Sequence, residues 1–205
     1  MSEDPSEVVV LGFGDSLTAG TPGYDPHFGG DNKSQYGFWL TLAARDMGIP
    51  VQFDNRGVPG DLVASMLSRL QKTLLMNRYD VAIIVGGTND LGWGQSPTKI
   101  LALLEKLWFT CLESVPRLVV STIPPIRTPS PMLDSARNEL NNMILDRVGT
   151  EPNTIAVDLF TAMSDESGLL RGPFDSGDGL HFSVKGYQRM GEVLWEAGVK
   201  QLLGA

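Results

Sequence analysis

The stretch "VVVLGFGDSLTAG", residues 8–20, poses the problem that the rest of the chain has to answer. It opens as a strand, apolar from Val8 to Leu11 and again at Phe13, and breaks at Gly14 into a short polar turn. An unbroken β-branched run suits a strand buried on both faces. This one ends by delivering Asp15 and Ser16, two polar groups whose purpose must be found elsewhere.

Four more runs of strand length follow: "VQFDN" (51–55), "VAIIVG" (81–86), "LVVST" (118–122) and "IAVDL" (155–159). Most are continuously apolar rather than alternating, as in a parallel sheet covered on both sides. Helix-period segments lie between them. In 97–113, Ile100, Leu101, Leu104, Leu107, Trp108, Cys111 and Leu112 recur at spacings of three and four, and Ser96-Pro97 supplies an N-cap and a first-turn proline. Segment 132–148 repeats the pattern through Met132, Leu133, Ala136, Leu140, Met143 and Ile144. A closing helix over 184–203 turns Tyr187, Met190, Val193, Leu194 and Ala197 inward. Strand–helix alternation predicts a three-layer α/β/α sandwich around a parallel sheet of about five strands. With no internal repeat and no linker, 8–205 reads as one domain behind an acidic tail, 1–7. Two loops, "TPGYDPHFGGDNKSQ" (21–35) and "IPPIRTPSP" (123–131), are longer than a compact sandwich needs. Such loops are either functional or plain surface connections.

Composition narrows the function classes. A net charge of −8 without a compensating basic run argues against nucleic acid or an anionic membrane as partner. The apolar runs are far too short to span a bilayer, so no stable membrane insertion is expected. "MSEDPSE" lacks the cationic start and apolar run of a signal peptide, so a cytoplasmic location is expected unless a signal has been removed. The single cysteine, Cys111, excludes an intrachain disulfide and any Cys-based metal site, and its place among leucines reads as packing.

Binding groups in open parallel sheets collect beyond the carboxyl ends of the strands. Four polar clusters meet there: Gly14-Asp15-Ser16, "NRGVPGD" (55–61), "GGTNDL" (86–91) and "DGLH" (178–181). Together they hold a hydroxyl, a glycine amide, an amide side chain, a carboxylate and an imidazole, the parts that acyl transfer through serine requires. Each has a plainer reading. Ser16 alone would be a helix cap, and His181, one of two histidines, a structural residue. Asn89 would stabilise a turn, and Gly60 would permit positive φ before a helix capped by Asp61. Asp178, three residues before His181, is one turn from Nδ1 of the ring, which would leave Nε2 free to take a proton. The order and strand-end placement of all four favour the chemical reading.

The same blocks resemble those of the SGNH hydrolase superfamily, the GDSL esterases and lipases. "GDSL" stands at 14–17, "GTND" (87–90) and "DGLH" (178–181) are similar to the third and fifth blocks, and "NRGVPGD" to the second. The similarity runs from about Val8 to Gly191. It implies a flavodoxin-like three-layer fold and cofactor-free, metal-independent hydrolysis of small esters or thioesters. Residue by residue it implies Ser16 as nucleophile, His181 as general base and then acid, and Asp178 as the group orienting the imidazole. The implied oxyanion hole comprises the backbone N–H groups of Ser16 and Gly60 and the side chain of Asn89, with Gly57 a weaker substitute for Gly60. Asp15 is expected to accept hydrogen bonds from loop amides, with a direct role as the alternative. Activity would then fall on the acid side as His181 protonates.

Other classes fit less well. Leu17 stands where a dinucleotide-binding G-x-G-x-x-G would end, and Thr18 where an α/β-hydrolase elbow would. A metal-dependent hydrolase is the rival, with Asp15, Asn55, Asn89, Asp90, Asp178 and His181 drawn as ligands, although two histidines make a dinuclear site poor. Short acyl or acetyl esters are the expected substrates; acyl-thioesters and lysophospholipids are the alternatives. Asp15, Tyr36 and Trp93 are candidate substrate contacts, within a wider aromatic set of Tyr24, Phe28, Phe38 and Trp39.

Overall fold

The computed structural model describes residues 7–128, 130–149 and 151–205, so of the tail 1–7 only Glu7 lies within the described residues. Five parallel strands form the central sheet: β1 (Val8–Gly14), β2 (Val51–Gly57), β3 (Val81–Val85), β4 (Leu118–Ser121) and β5 (Thr154–Val157), in the order β2-β1-β3-β4-β5. This is the flavodoxin-like order, in which connections leave β1 and β3 toward opposite faces. The unbroken apolar runs now have their reason. Leu11, Phe13, Ala82, Ile84, Leu118 and Val120 pack into one core, while Val10, Val81, Ile83, Val85, Val119 and Val157 pack into the other. Alternate residues of each strand therefore feed opposite layers.

The first layer is made by α3 (Val63–Leu74), α5 (Pro97–Leu112) and α6 (Pro131–Val148), the second by α2 (Tyr36–Asp46) and α8 (Val184–Leu194). Three short helices follow strand ends directly: α1 (Ser16–Ala19), α4 (Thr88–Gly92) and α7 (Leu159–Met163). Cys111 is buried in the first core, and desolvation pushes its thiol up to about 12, consistent with an inert packing role. Segment 21–35 carries a two-strand hairpin, Tyr24–Asp25 against Gly29–Gly30, and a 3-10 turn, Asn32–Ser34. Among the described residues no helix is long and apolar enough to cross a membrane.

Four sequence expectations need correction. Met132, placed inward by periodicity, lies in the first turn of α6 and is 84% exposed. Ser96 stands at the N-cap of α5 but makes no capping hydrogen bond. The helix after "VPGD" starts at Val63 with Leu62 as its cap residue, so Asp61 does not cap it. The closing helix is interrupted by a π turn, Trp195–Val199, before α9 (Lys200–Leu203). A π turn holds an extra residue and rotates the inward stripe. Trp195, Gly198 and Val199 therefore face the core, and Ala197 is exposed. A Cβ on Gly198 would lie 3.0 Å from Val119 Cγ1, so glycine allows this turn to rest on the sheet.

The ends of β1 and β2 are shaped by close approach. Gly14 pairs with Gly57 across the strands. A Cβ on Gly57 would sit 2.5 Å from Ala19 Cα and 2.6 Å from the Thr18 carbonyl carbon, and one on Gly14 would collide with Thr18 Oγ1 and the Val85 carbonyl. Helix α1 thus lies directly on backbone. Gly57→Ala is expected to displace α1 at a cost of about 1–3 kcal/mol, lowering Tm and, because α1 carries Ser16, turnover as well. A melting curve and a rate matching those of the parent protein would refute this account of the packing.

Candidate active site

Ser16 is the first residue of α1 and is only 7% exposed. Asp15 holds it there: its Oδ1 accepts from the Leu17 amide at 2.9 Å, and its carbonyl accepts from the Thr18 and Ala19 amides. The sequence therefore converts strand to helix within one residue. From the far end of the chain His181 reaches the same point, with Nε2 2.9 Å from Ser16 Oγ. The opposite ring nitrogen, Nδ1, lies 2.7 Å from Asp178 Oδ2, while Asp178 Oδ1 accepts from the amides of Leu180 and His181 at 2.9 and 2.8 Å. Partial burial works to raise the Asp178 pKa. The hydrogen bonds from the His181 ring and from the His181 and Leu180 amides outweigh it and hold the carboxyl well below the usual carboxylate range. Asp178 therefore stays ionised beside the ring.

Two other strand ends converge on Ser16. After β2, Val58-Pro59-Gly60-Asp61 makes a turn in which the Asp61 amide donates to the Val58 carbonyl and Gly60 has φ of +79°. Proline second and glycine third are what a type II turn demands. The Gly60 amide is not used in that turn and has no hydrogen-bond partner among the described residues; the same holds for the Ser16 amide. After β3, Gly87 at φ +109° turns the chain into α4, where Asn89 Nδ2 donates to the Asp61 carbonyl at 2.9 Å. One hydrogen of that side-chain amide is so fixed, which orients the other. A serine in contact with an imidazole, at a sheet edge whose neighbouring turns carry N–H donors at Gly60 and Asn89, can exchange a proton and accommodate a developing oxyanion.

Arg69, which sequence reasoning missed, ties these parts together. Its Nε donates to Asp61 Oδ2, its Nη1 to the Arg56 carbonyl and its Nη2 to the Gly14 carbonyl. No local motif marks it, because an arginine on an amphipathic helix usually faces water.

Of the proposed substrate contacts, the structure contradicts two. Asp15 is 1% exposed beneath Ser16, and Tyr36 is fully buried in α2, edge-on to Phe53 at 5.2 Å between centroids. Both are packed into the second layer or under the turn and present nothing to a cleft. Trp93, 81% exposed, stands at the rim of a cleft of about 250 Å³ that also borders Asn89, Leu91, Ile123, Arg137 and Leu180. Of the six residues drawn as metal ligands, the aspartates and His181 do not gather into a metal-holding group: among the described residues no group of three His, Cys, Asp or Glu is placed to hold a metal ion.

The sequence model of the GDSL-like lipase/acylhydrolase family matches residues 13–189. No curated protein matches the chain. Among solved structures, a family 3 carbohydrate esterase from Clostridium thermocellum is similar, with 21% identity, a TM-score of 0.75, and 97% of this chain and 98% of that one covered. AlinE4, an SGNH-hydrolase family esterase, shares 25% identity with a TM-score of 0.68 and 98% of each chain covered. TesA shares 20% identity with a TM-score of 0.71, covering 95% of this chain and 99% of that one.

Burial pushes the Asp15 carboxyl up to about 7; the Leu17 amide opposes this, and the charges of Asp61 and Asp90 add to it. The native state thus holds this proton more tightly than the unfolded chain, whose carboxyl titrates near 3.8. The resulting stabilisation is fully present below that value and is lost as pH rises through 7. Asp15→Asn keeps an acceptor for Leu17 and cannot ionise. Its Tm relative to the parent protein should therefore rise between pH 5 and pH 8, by the equivalent of a few kcal/mol at most (about 1.4 kcal/mol per pH unit). An equal difference at both values would show that Asp15 does not titrate in this range.

Proposed function

The chain belongs to the GDSL-like lipase/acylhydrolase family and is a carboxylic ester hydrolase, and we propose that it is a serine esterase cleaving esters of short acyl chains through an acyl-enzyme. The observation that carries this reading is the continuous chain Asp178–His181–Ser16, at 2.7 and 2.9 Å. In the proposed reaction Ser16 Oγ attacks the ester carbonyl carbon and passes its proton to His181 Nε2. Asp178 accepts a hydrogen bond from Nδ1–H, which fixes the tautomer and stabilises the imidazolium that forms. The carbonyl oxygen, now anionic, is held by the Ser16 and Gly60 amides and Asn89 Nδ2. Collapse breaks the ester bond, and His181 returns the proton to the departing alcohol. Water then enters, gives its proton to His181 and releases the acid from Ser16 by the same steps in reverse order.

A cleft of about 250 Å³ beside Asn89 supports this reading, with room for a short acyl group. Its apolar wall of Leu91, Ile123 and Leu180 suits the carbons of such a group.

A p-nitrophenyl ester series from acetyl to palmitoyl tests both parts. Rates should peak at two to four acyl carbons and be unaffected by chelator. Ser16→Ala should lower kcat on the order of 10⁴-fold or more, and Asn89→Ala by roughly 10²–10³-fold with KM little changed. A maximum at long chains would overturn the substrate assignment, and activity surviving in Ser16→Ala would overturn the mechanism.

A further inference from the structure

We propose that Arg69 is a positioning residue for the oxyanion hole, holding the turn that carries Gly60 in register with the strand end that carries Ser16; this rests on the serine-esterase reading above. The three donors of the hole come from the separate connections that follow β1, β2 and β3, and beyond Gly14 and Gly57 the first two are joined through the backbone by the Val58 amide, which donates to the Gly14 carbonyl at 3.0 Å. Arg69 lies in the middle of α3, and its guanidinium reaches the pieces that carry Ser16 and Gly60 at once. Nη2 donates to the Gly14 carbonyl, two residues before Ser16, at 2.8 Å. Nη1 donates to the Arg56 carbonyl at the end of β2 at 2.9 Å. Nε donates to Asp61 Oδ2, next to Gly60, at 2.7 Å. The group stacks on Phe13, 4.0 Å from the ring centroid, which fixes its plane.

The chain of contacts continues to the third donor, because the Asp61 carbonyl accepts from Asn89 Nδ2. Gly60, Asp61 and Asn89 therefore shift together if Asp61 is released. A planar guanidinium is the one side chain that offers donors in three directions from a rigid plane. Its charge has a second effect. Asp61 and Asp90 lie close enough to interact, and their charges would oppose an oxyanion forming nearby. Arg69 neutralises Asp61, with the two side chains only 23% and 9% exposed.

Substitution should consequently act on turnover and not on binding. In Arg69→Met, kcat should fall about 10- to 100-fold with KM within about threefold of the parent, and Arg69→Lys, which keeps the charge but not the fork, should recover only part of the loss. The decisive readout is coupling to Asn89. If Arg69 acts by aligning the hole, the variant lacking both groups should be at most a few-fold slower than Asn89→Ala alone, whereas a merely structural role gives losses that multiply. Should Arg69→Met not fold, Asp61→Asn and Arg69→Lys, each combined with Asn89→Ala, supply the same comparison. Multiplicative losses, a rise in KM at constant kcat, or unchanged turnover in Arg69→Met would overturn the proposal. Ser16→Ala separates this outcome from failure of the esterase reading: an inactive Ser16→Ala beside multiplicative losses removes the role of Arg69 alone.

Discussion

Parallel register at the carboxyl edge of the sheet is the constraint on which the site depends. Gly14 lies opposite Gly57 on one side and Val85 on the other, so β1, β2 and β3 end at nearly the same level. Every connection that leaves this edge starts with unpaired backbone polar groups, and the three loops leave side by side. Their polar residues are thereby gathered at one edge without any loop having to travel. Helix α1 then lies across the ends of β1 and β2, an approach possible only because positions 14 and 57 have no Cβ.

Holding such an edge requires replacements for the lost sheet hydrogen bonds, since buried backbone groups without partners are costly. The chain uses polar side chains as backbone clamps. Asp15 Oδ1 takes the Leu17 amide, and Asp90 Oδ2 takes the Val63 amide at the start of α3. Asn141, on α6, takes both the amide and the carbonyl of Ile123 where β4 ends. Burying carboxylates for this purpose has a cost of its own. Asp15 Oδ2 and Asp90 Oδ1 have no hydrogen-bond partner among the described residues, and desolvation raises both pKa values. The edge is thus built from groups that stabilise geometry at the expense of some folding free energy, as functional edges commonly are.

How much of this was legible in the sequence follows from how local each signal is. The five strands were readable because burial on both faces leaves an unbroken apolar run. The positions of Ser16, Asn89, Asp178 and His181 were readable because each sits in a short block whose neighbours make its turn: Gly87 before Asn89, Gly60 after Pro59, Asp178 three residues ahead of His181. Other positions were misread because a distant partner or a local irregularity of the helix decided them. Tyr36 looked available to substrate, yet α2 turns it onto Phe53, a partner seventeen positions away. Ala197 looked buried by period, but a single extra residue in the π turn rotated it outward. Asp61 looked like a helix cap, and its real partner, Arg69, also holds carbonyls at 14 and 56. An arginine with such partners has the same sequence surroundings as one that faces water.

The two halves of the site are held by different means. Ser16 and Asn89 stand on helices that begin at strand ends and inherit the rigidity of the sheet. Asp178 and His181 stand on a turn outside it, and that turn is held by carboxylates. Asp175 Oδ1 accepts from the Gly177 and Gly179 amides, and the Gly179 carbonyl accepts from the Arg127 amide. Asp178 repeats the device three residues later, but splits its oxygens: Oδ1 closes the turn through the Leu180 and His181 amides, and Oδ2 meets the imidazole. One carboxylate therefore sets both where the ring stands and which of its nitrogens carries the proton. Backbone shape and tautomer are coupled through a single side chain, so the turn cannot relax without also turning the nitrogen that faces Ser16.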